Sequence, residues 1–117
     1  MKKAYISIPV RFYKLDWVRG VIASMRQNML TISPSDFQGY NVSIMHNHIK
    51  SSDLLVAVGK NNNYIGRGSF EEISLALENK IPTYLISEEF TGMKQIKSVV
   101  VKNQKDWNKY AIVELAN

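Results

Sequence analysis

The segment Gly66-Arg67-Gly68-Ser69-Phe70-Glu71-Glu72 places two glycines, a cation, a hydroxyl and two carboxylates directly ahead of a helical pattern. Free backbone N–H groups at a helix start attract an anion, and Gly66 and Gly68 permit close backbone approach. This is neither a Walker loop nor a dinucleotide fingerprint, because the lysine and the third glycine those require are missing. An ordinary surface loop accounts for the composition equally well. Glu72 carries two readings of its own. Lying three residues after Ser69, it completes a capping box with Ser69 as N-cap. At the mouth of a ligand crevice, the same carboxylate can attack or stabilise a sugar's anomeric carbon, since glycosyl transfer passes through an oxocarbenium-like transition state.

Other chemistry is scarce. With no cysteine, thiol nucleophiles, disulfides and Cys-based zinc sites are excluded. His46 and His48, two residues apart, fall on different faces of a helix, where solvent exposure rather than metal binding is expected. Neither a metal nor a cofactor is implied. Asp53, just before an apolar run, suits either a ligand contact or a turn. Arg11 and Arg67 could each hold a phosphate, as surface arginines can. Trp17 and Trp107 fit the apolar stripes of helical patterns, so core packing is expected of both.

These residues need a scaffold. Four apolar runs read as strands: Ala4 to Ile8, Leu54 to Val58, Thr83 to Ile86 and Val99 to Val101. The second and fourth lack alternation, as expected of strands buried on both faces of a parallel sheet. Between them, Leu15, Val18, Ile22, Met25 and Met29 form one amphipathic stripe, and a weaker strand is expected near Leu30 to Ile32. A short helix over Val42 to Ile49 turns Val42, Met45 and Ile49 inward. A better one runs from Ser69 to Asn79, with Pro82 blocking continuation. A last helix is expected over Asp106 to Leu115, with Trp107, Tyr110, Ala111 and Leu115 facing the core. Alternating strands and helices imply right-handed βαβ units. The expectation is one α/β domain over residues 1–117, a three-layer Rossmann- or flavodoxin-like sandwich on a mostly parallel sheet of four to five strands. In such sheets ligands bind beyond the carboxyl ends of the strands, here the loops after Ile8, Val58 and Ile86.

From Ser52-Asp53-Leu54-Leu55-Val56-Ala57-Val58 through Gly68-Ser69-Phe70-Glu71-Glu72-Ile73 to Lys80-Ile81-Pro82, the chain resembles the nucleoside 2-deoxyribosyltransferase superfamily, which includes deoxynucleoside monophosphate N-glycosidases. A looser echo lies in Ala4-Tyr5-Ile6-Ser7-Ile8-Pro9. The resemblance implies that Glu72 is the nucleophile and that Tyr5 orients it. The residues expected around the ligand are Ser7, Pro9, Arg11, Asp53, Gly66, Arg67, Gly68 and Ser69, and the resemblance also implies a homo-oligomer. Two departures stand out. A family aspartate eight residues ahead of Asp53 is replaced by Met45, and another, six residues before the nucleophile, by Gly66. A weaker resemblance is to TIR-like domains, which cleave NAD with a glutamate; the Trp-containing segment of that family is absent here.

The functional expectation is cleavage or transfer at the N-glycosidic bond of a nucleoside or nucleotide. The alternatives are a non-catalytic nucleotide-binding or sensing module, a TIR-like NAD-cleaving domain, or a protein-interaction domain using a basic face. The first two suit a defence or counter-defence setting. Fifteen lysines and arginines against ten acidic residues give a net charge of +5. Lys60 and Arg67 flank the glycine-rich helix start, whereas Lys94, Lys97, Lys102, Lys105 and Lys109 are spaced as on a solvated face. That distribution suits a small phosphorylated ligand better than nucleic acid. No apolar stretch reaches the ~20 residues of a membrane span, and the first residues read as a strand rather than a signal peptide. A cytoplasmic setting is expected.

Overall fold

The computed structural model describes residues 1–117 apart from 38, 40, 60–62, 90 and 91. Its centre is the apolar run Leu54–Val58 (β3), buried along its whole length. Lys3–Ser7 (β1) pairs with it in parallel, with Tyr5 opposite Leu55 and Ser7 opposite Ala57. Leu30–Ile32 (β2) adds to the far side of β1, and Thr83–Ile86 (β5) to the far side of β3, both parallel. Every backbone group of β1 and β3 can thus be satisfied by neighbours on both sides. Nothing polar is left for solvent, which is why these runs need no alternation.

Beyond β5 the sheet changes character. Lys94–Val101 (β6), Ala111–Leu115 (β7) and the short Tyr64–Ile65 (β4) continue it in antiparallel pairs. Among the described residues the sheet has seven strands in the order β2-β1-β3-β5-β6-β7-β4. The α/β expectation holds, with the sheet longer and only partly parallel.

Side-chain alternation divides the core into two layers. Ala4, Ile6, Leu54, Val56 and Val58 face the helix Asp16–Arg26 (α1) through Val18. Tyr5, Leu55, Ala57 and Leu85 face the helices Val42–Lys50 (α2) and Arg67–Glu78 (α3) through Met45, Ile49, Ile73 and Ala76. Together with the sheet, these make the three layers. On α2, Met45 and Ile49 point inward as expected, but Val42 is exposed. It occupies the first helical residue, ahead of the stripe that meets the sheet.

Three sequence expectations change at the carboxyl end. The helix expected over Asp106 to Leu115 is instead a turn followed by β7. Asp106 Oδ1 accepts hydrogen bonds from the backbone N–H groups of Asn108 and Lys109, at 2.9 and 3.1 Å, and closes that turn. Ala111 and Val113 are buried on one side of β7 while Glu114 is exposed, a two-residue period that the helical spacing of Trp107, Tyr110, Ala111 and Leu115 concealed. Trp107 is therefore not a core residue. Val99–Val101, expected as a strand buried on both faces of a parallel sheet, is the end of antiparallel β6 and only partly covered.

Candidate active site

The carboxyl ends of β1 and β3 mark the point where strand order reverses, since β2 and β3 lie on opposite sides of β1. A crevice is expected there, and a cavity of about 610 Å³ occupies it. Its walls come from four segments. The stretch after β1 contributes Ile8 to Arg11 and Tyr13; Pro34 follows β2; Gly66 to Ser69, Glu71 and Glu72 belong to the start of α3; Trp107 and Asn108 come from the turn before β7.

Glu72 is only 4 % exposed. The helix around it starts earlier than the sequence suggested. Gly66 is the N-cap and Arg67 the first helical residue, so Ser69 lies inside the helix and Glu72 is its sixth residue. The capping-box reading of Glu72 is thereby overturned. Its carboxylate reaches instead across to the sheet. Ser7 Oγ donates to Oε1 at 2.7 Å, and the hydroxyl of Tyr5 donates to Oε2. Period-two alternation puts Tyr5 and Ser7 on the same face of β1, which is why two donors converge on one side chain. Tyr5 and Ser7 are themselves fully buried, so these are charge-assisted bonds in a dry environment. The carboxylate is fixed while Glu72 still forms part of the cavity wall.

Tyr13, on the same wall, has its phenol pushed above the ordinary tyrosine value, by burial first and by the charge of Glu72 second. It therefore stays a neutral O–H group at neutral pH.

The cations are less free than composition implied. Arg67 Nε pairs with Glu71 Oε1 at 3.3 Å, and its guanidinium lies 4.7 Å from the centre of the Trp107 ring and 5.4 Å from that of Tyr110. Arg11 Nη1 donates to Asn108 Oδ1 at 2.7 Å, linking the wall after β1 to the wall before β7. Lys60, expected as a second cation of the glycine-rich loop, lies outside the described residues.

The two glycines have different reasons. A Cβ on Gly66 would come within 2.9 Å of the Trp107 carbonyl oxygen, so the close approach of that turn requires glycine. A Cβ on Gly68 would meet nothing within 4 Å, so there the absent side chain leaves space beside the cavity.

The arrangement of strands, helices and cavity has a solved counterpart. A 2-deoxyribosyltransferase from Bacillus psychrosaccharolyticus, described as a biocatalyst for nucleoside synthesis, matches with a TM-score of 0.56 over 77 % of each chain, at 19 % identity. The fold is that of a 2-deoxyribosyltransferase. No protein-family model and no curated protein matches the chain.

Within this 2-deoxyribosyltransferase fold, the sequence-derived site residues divide cleanly. Tyr5, Ser7, Pro9, Arg11, Gly66, Arg67, Gly68, Ser69 and Glu72 all lie in the cavity wall or bond to Glu72. Asp53 does not. It sits at the opposite, amino-terminal end of β3, about 16 Å of strand away, and its Oδ2 accepts the backbone N–H of Lys3 at 2.8 Å. That bond fastens the start of β1 to the start of β3. His46 and His48 are half-buried rather than exposed. His48 meets Lys3 Nζ at 3.2 Å and the ring of Phe37 at 5.7 Å between centroids. Among the described residues no three His, Asp or Glu side chains gather as metal ligands, and no helix is long and apolar enough to cross a membrane. Sequence reasoning missed Tyr13, Trp107 and Asn108 as wall residues. The cluster Asp106-Trp107-Asn108 carried a turn signal in Asp and Asn that the apolar spacing outweighed.

Proposed function

We propose that this protein breaks or transfers the N-glycosidic bond of a nucleoside or nucleotide, with Glu72 as the nucleophile. One observation carries the reading: a buried carboxylate, held by Tyr5 and Ser7, in the wall of a cavity of nucleoside size at the strand switch point. One Glu72 oxygen attacks C1′, the C1′–N bond breaks, and the base leaves with the bonding pair and takes up a proton. Water or a second base then attacks C1′ and releases Glu72 as the carboxylate. The donors on Glu72 hold it at a fixed angle, so little orientational freedom is lost at the reacting atoms. A homo-oligomer, which the family resemblance implies, belongs to the same proposal; analytical ultracentrifugation checks it.

A second reading, a nucleotide-binding module without turnover, draws on the two family aspartate positions. Met45 is packed in the core at 1 % exposure, and Gly66 abuts the Trp107 carbonyl. Neither offers a carboxyl group to a departing base. One experiment separates the readings. Deoxynucleosides, their monophosphates and NAD are incubated with the protein, and free base is followed by chromatography. With Glu72→Gln, which keeps the shape of the side chain, base release should fall by about 10³-fold or more. Release unaffected by the substitution would sink the nucleophile assignment. No release from any substrate, together with ligand-dependent thermal stabilisation, would establish the binding module instead.

A further inference from the structure

We infer that Trp107 is the platform on which the substrate's base stacks, and that Arg67 serves to hold the indole in place. The inference rests on the nucleoside reading above and names the part of the site that would recognise the base.

Trp107 is 65 % exposed, although burying an indole is among the more favourable things a fold can do with one. It is nevertheless held in position. Its carbonyl oxygen accepts the Arg67 N–H at 3.0 Å, and Gly66 is a glycine because that carbonyl comes so close. The adjoining turn is tied by Asp106. The ring itself is braced through Arg67, whose guanidinium lies over both Trp107 and Tyr110, while Tyr110 packs edge-on against Phe70 at 5.2 Å. An exposed side chain with this much support is not a loose surface residue. It is one of the residues that line the cavity, and Glu72 lies in the wall of that same cavity.

The chemistry of the occupant follows. A flat, rigid aromatic ring gains well on an indole, because stacking needs overlap and costs little conformational entropy. In a substrate cleaved at C1′, the group that fits this description is the heterocyclic base. Arg67, already paired with Glu71 and lying over the Trp107 and Tyr110 rings, has less to offer a phosphate than its charge suggests. The antiparallel end of the sheet thus supplies recognition, and the parallel half supplies the carboxylate.

Calorimetric titration in a Glu72→Gln background, where turnover does not interfere, tests this. The probes are the four 2′-deoxynucleosides, their 5′-monophosphates and 2-deoxyribose 5-phosphate. Trp107→Ala should weaken the base-bearing probes by about tenfold or more, in the range found for base–aromatic stacking. Trp107→Phe should restore most of that loss, and 2-deoxyribose 5-phosphate should be unaffected by either change. Base-bearing probes bound within about twofold of the parent by Trp107→Ala would overturn the platform and leave the nucleoside reading standing. Equal weakening of all probes, sugar phosphate included, would also overturn it, because the indole would then be shaping the turn. No base-bearing probe bound by the Trp107-intact protein would overturn both readings together.

Discussion

The parallel half of the sheet and its antiparallel extension meet at one cavity but contribute to it differently. The parallel half is β2, β1, β3 and β5, and it holds Tyr5, Ser7 and the buried carboxylate they grip. Tyr5 and Ser7 are fully buried on β1, so the two bonds they donate hold the Glu72 carboxylate in place. The antiparallel half is β6, β7 and β4, and its strands are covered on fewer sides. It brings Trp107 and Asn108 to the cavity on a turn, joined to the rest by Arg67, the Arg11–Asn108 bond and the contact at Gly66. A reacting group gains from a rigid support, whereas a wall that selects among ligands can be built on a turn whose sequence is free to vary.

Breaking the parallel side should have the largest effect. Tyr5→Phe removes a fully buried donor to the carboxylate and leaves the ring's packing intact. Base release is expected to fall about 10- to 100-fold, and stability by about 1.5–3 kcal/mol, the range for a hydrogen bond to a charged group. Chromatographic rates and urea unfolding measure the two. Unchanged values in both would mean that Ser7 alone holds Glu72.

The junction between the halves comes next. Gly66→Ala would drive a Cβ into the backbone of Trp107, which cannot rotate away as a side chain can. A cost of about 1–3 kcal/mol is expected in urea unfolding, together with weaker nucleoside binding as the turn shifts. Gly68→Ala provides the contrast. Its Cβ meets nothing, and a helical alanine is favoured over glycine by up to about 1 kcal/mol, so stability should hold or rise. Destabilisation by both substitutions alike would argue that glycine's backbone freedom, rather than the Trp107 contact, matters at this helix start.

The smallest effect should be that of Tyr13, whose phenol is shifted by burial first and by the charge of Glu72 second. Its pKa is raised in the folded state, so its contribution to stability is fully present below the ordinary tyrosine value and is lost as pH rises through the raised one. Between about pH 9 and about pH 11, the wild type should lose stability more steeply than Tyr13→Phe. Denaturant titrations at the two pH values compare the slopes. Identical slopes would mean that neither burial nor the charge of Glu72 raises the Tyr13 phenol in the folded state.

Legibility in the sequence followed the same division. The runs at Ala4, Leu54 and Thr83 are all strands of the parallel half, but among them the unbroken apolar signature of two-faced burial held only at Leu54–Val58; Val99–Val101 shares it and belongs to antiparallel β6. Asp53 stands just before the Leu54 run, a place that suits either a ligand contact or a structural role, and the structure shows the structural one. Its actual partner, the Lys3 N–H, is fifty residues away in sequence and lies at the other end of the strand. At the carboxyl end, Trp107, Tyr110, Ala111 and Leu115 matched a helical stripe by spacing. A short apolar segment satisfies both periods until a pairing partner is known, and β6 provides that partner for β7. The same ambiguity hid the start of α3. Ser69 is a good N-cap by type, yet the contact between Gly66 and the turn before β7 places the cap three residues earlier.

By itself, then, the sequence determined the α/β class, the central strands, the glycine-rich start of α3 and the exclusion of thiol chemistry. Each of these depends on composition or on spacing within one element, and local periodicity records such spacing directly. Tertiary structure alone decided that Glu72 bonds to Tyr5 and Ser7 rather than capping its own helix, that Asp53 is a fastening between strands, and that Trp107 stands in the cavity wall. Those outcomes depend on which elements become neighbours across more than thirty residues of chain. The physical reason is that a side chain's partner is fixed by the packing of whole layers, and no single segment carries the energy of that packing.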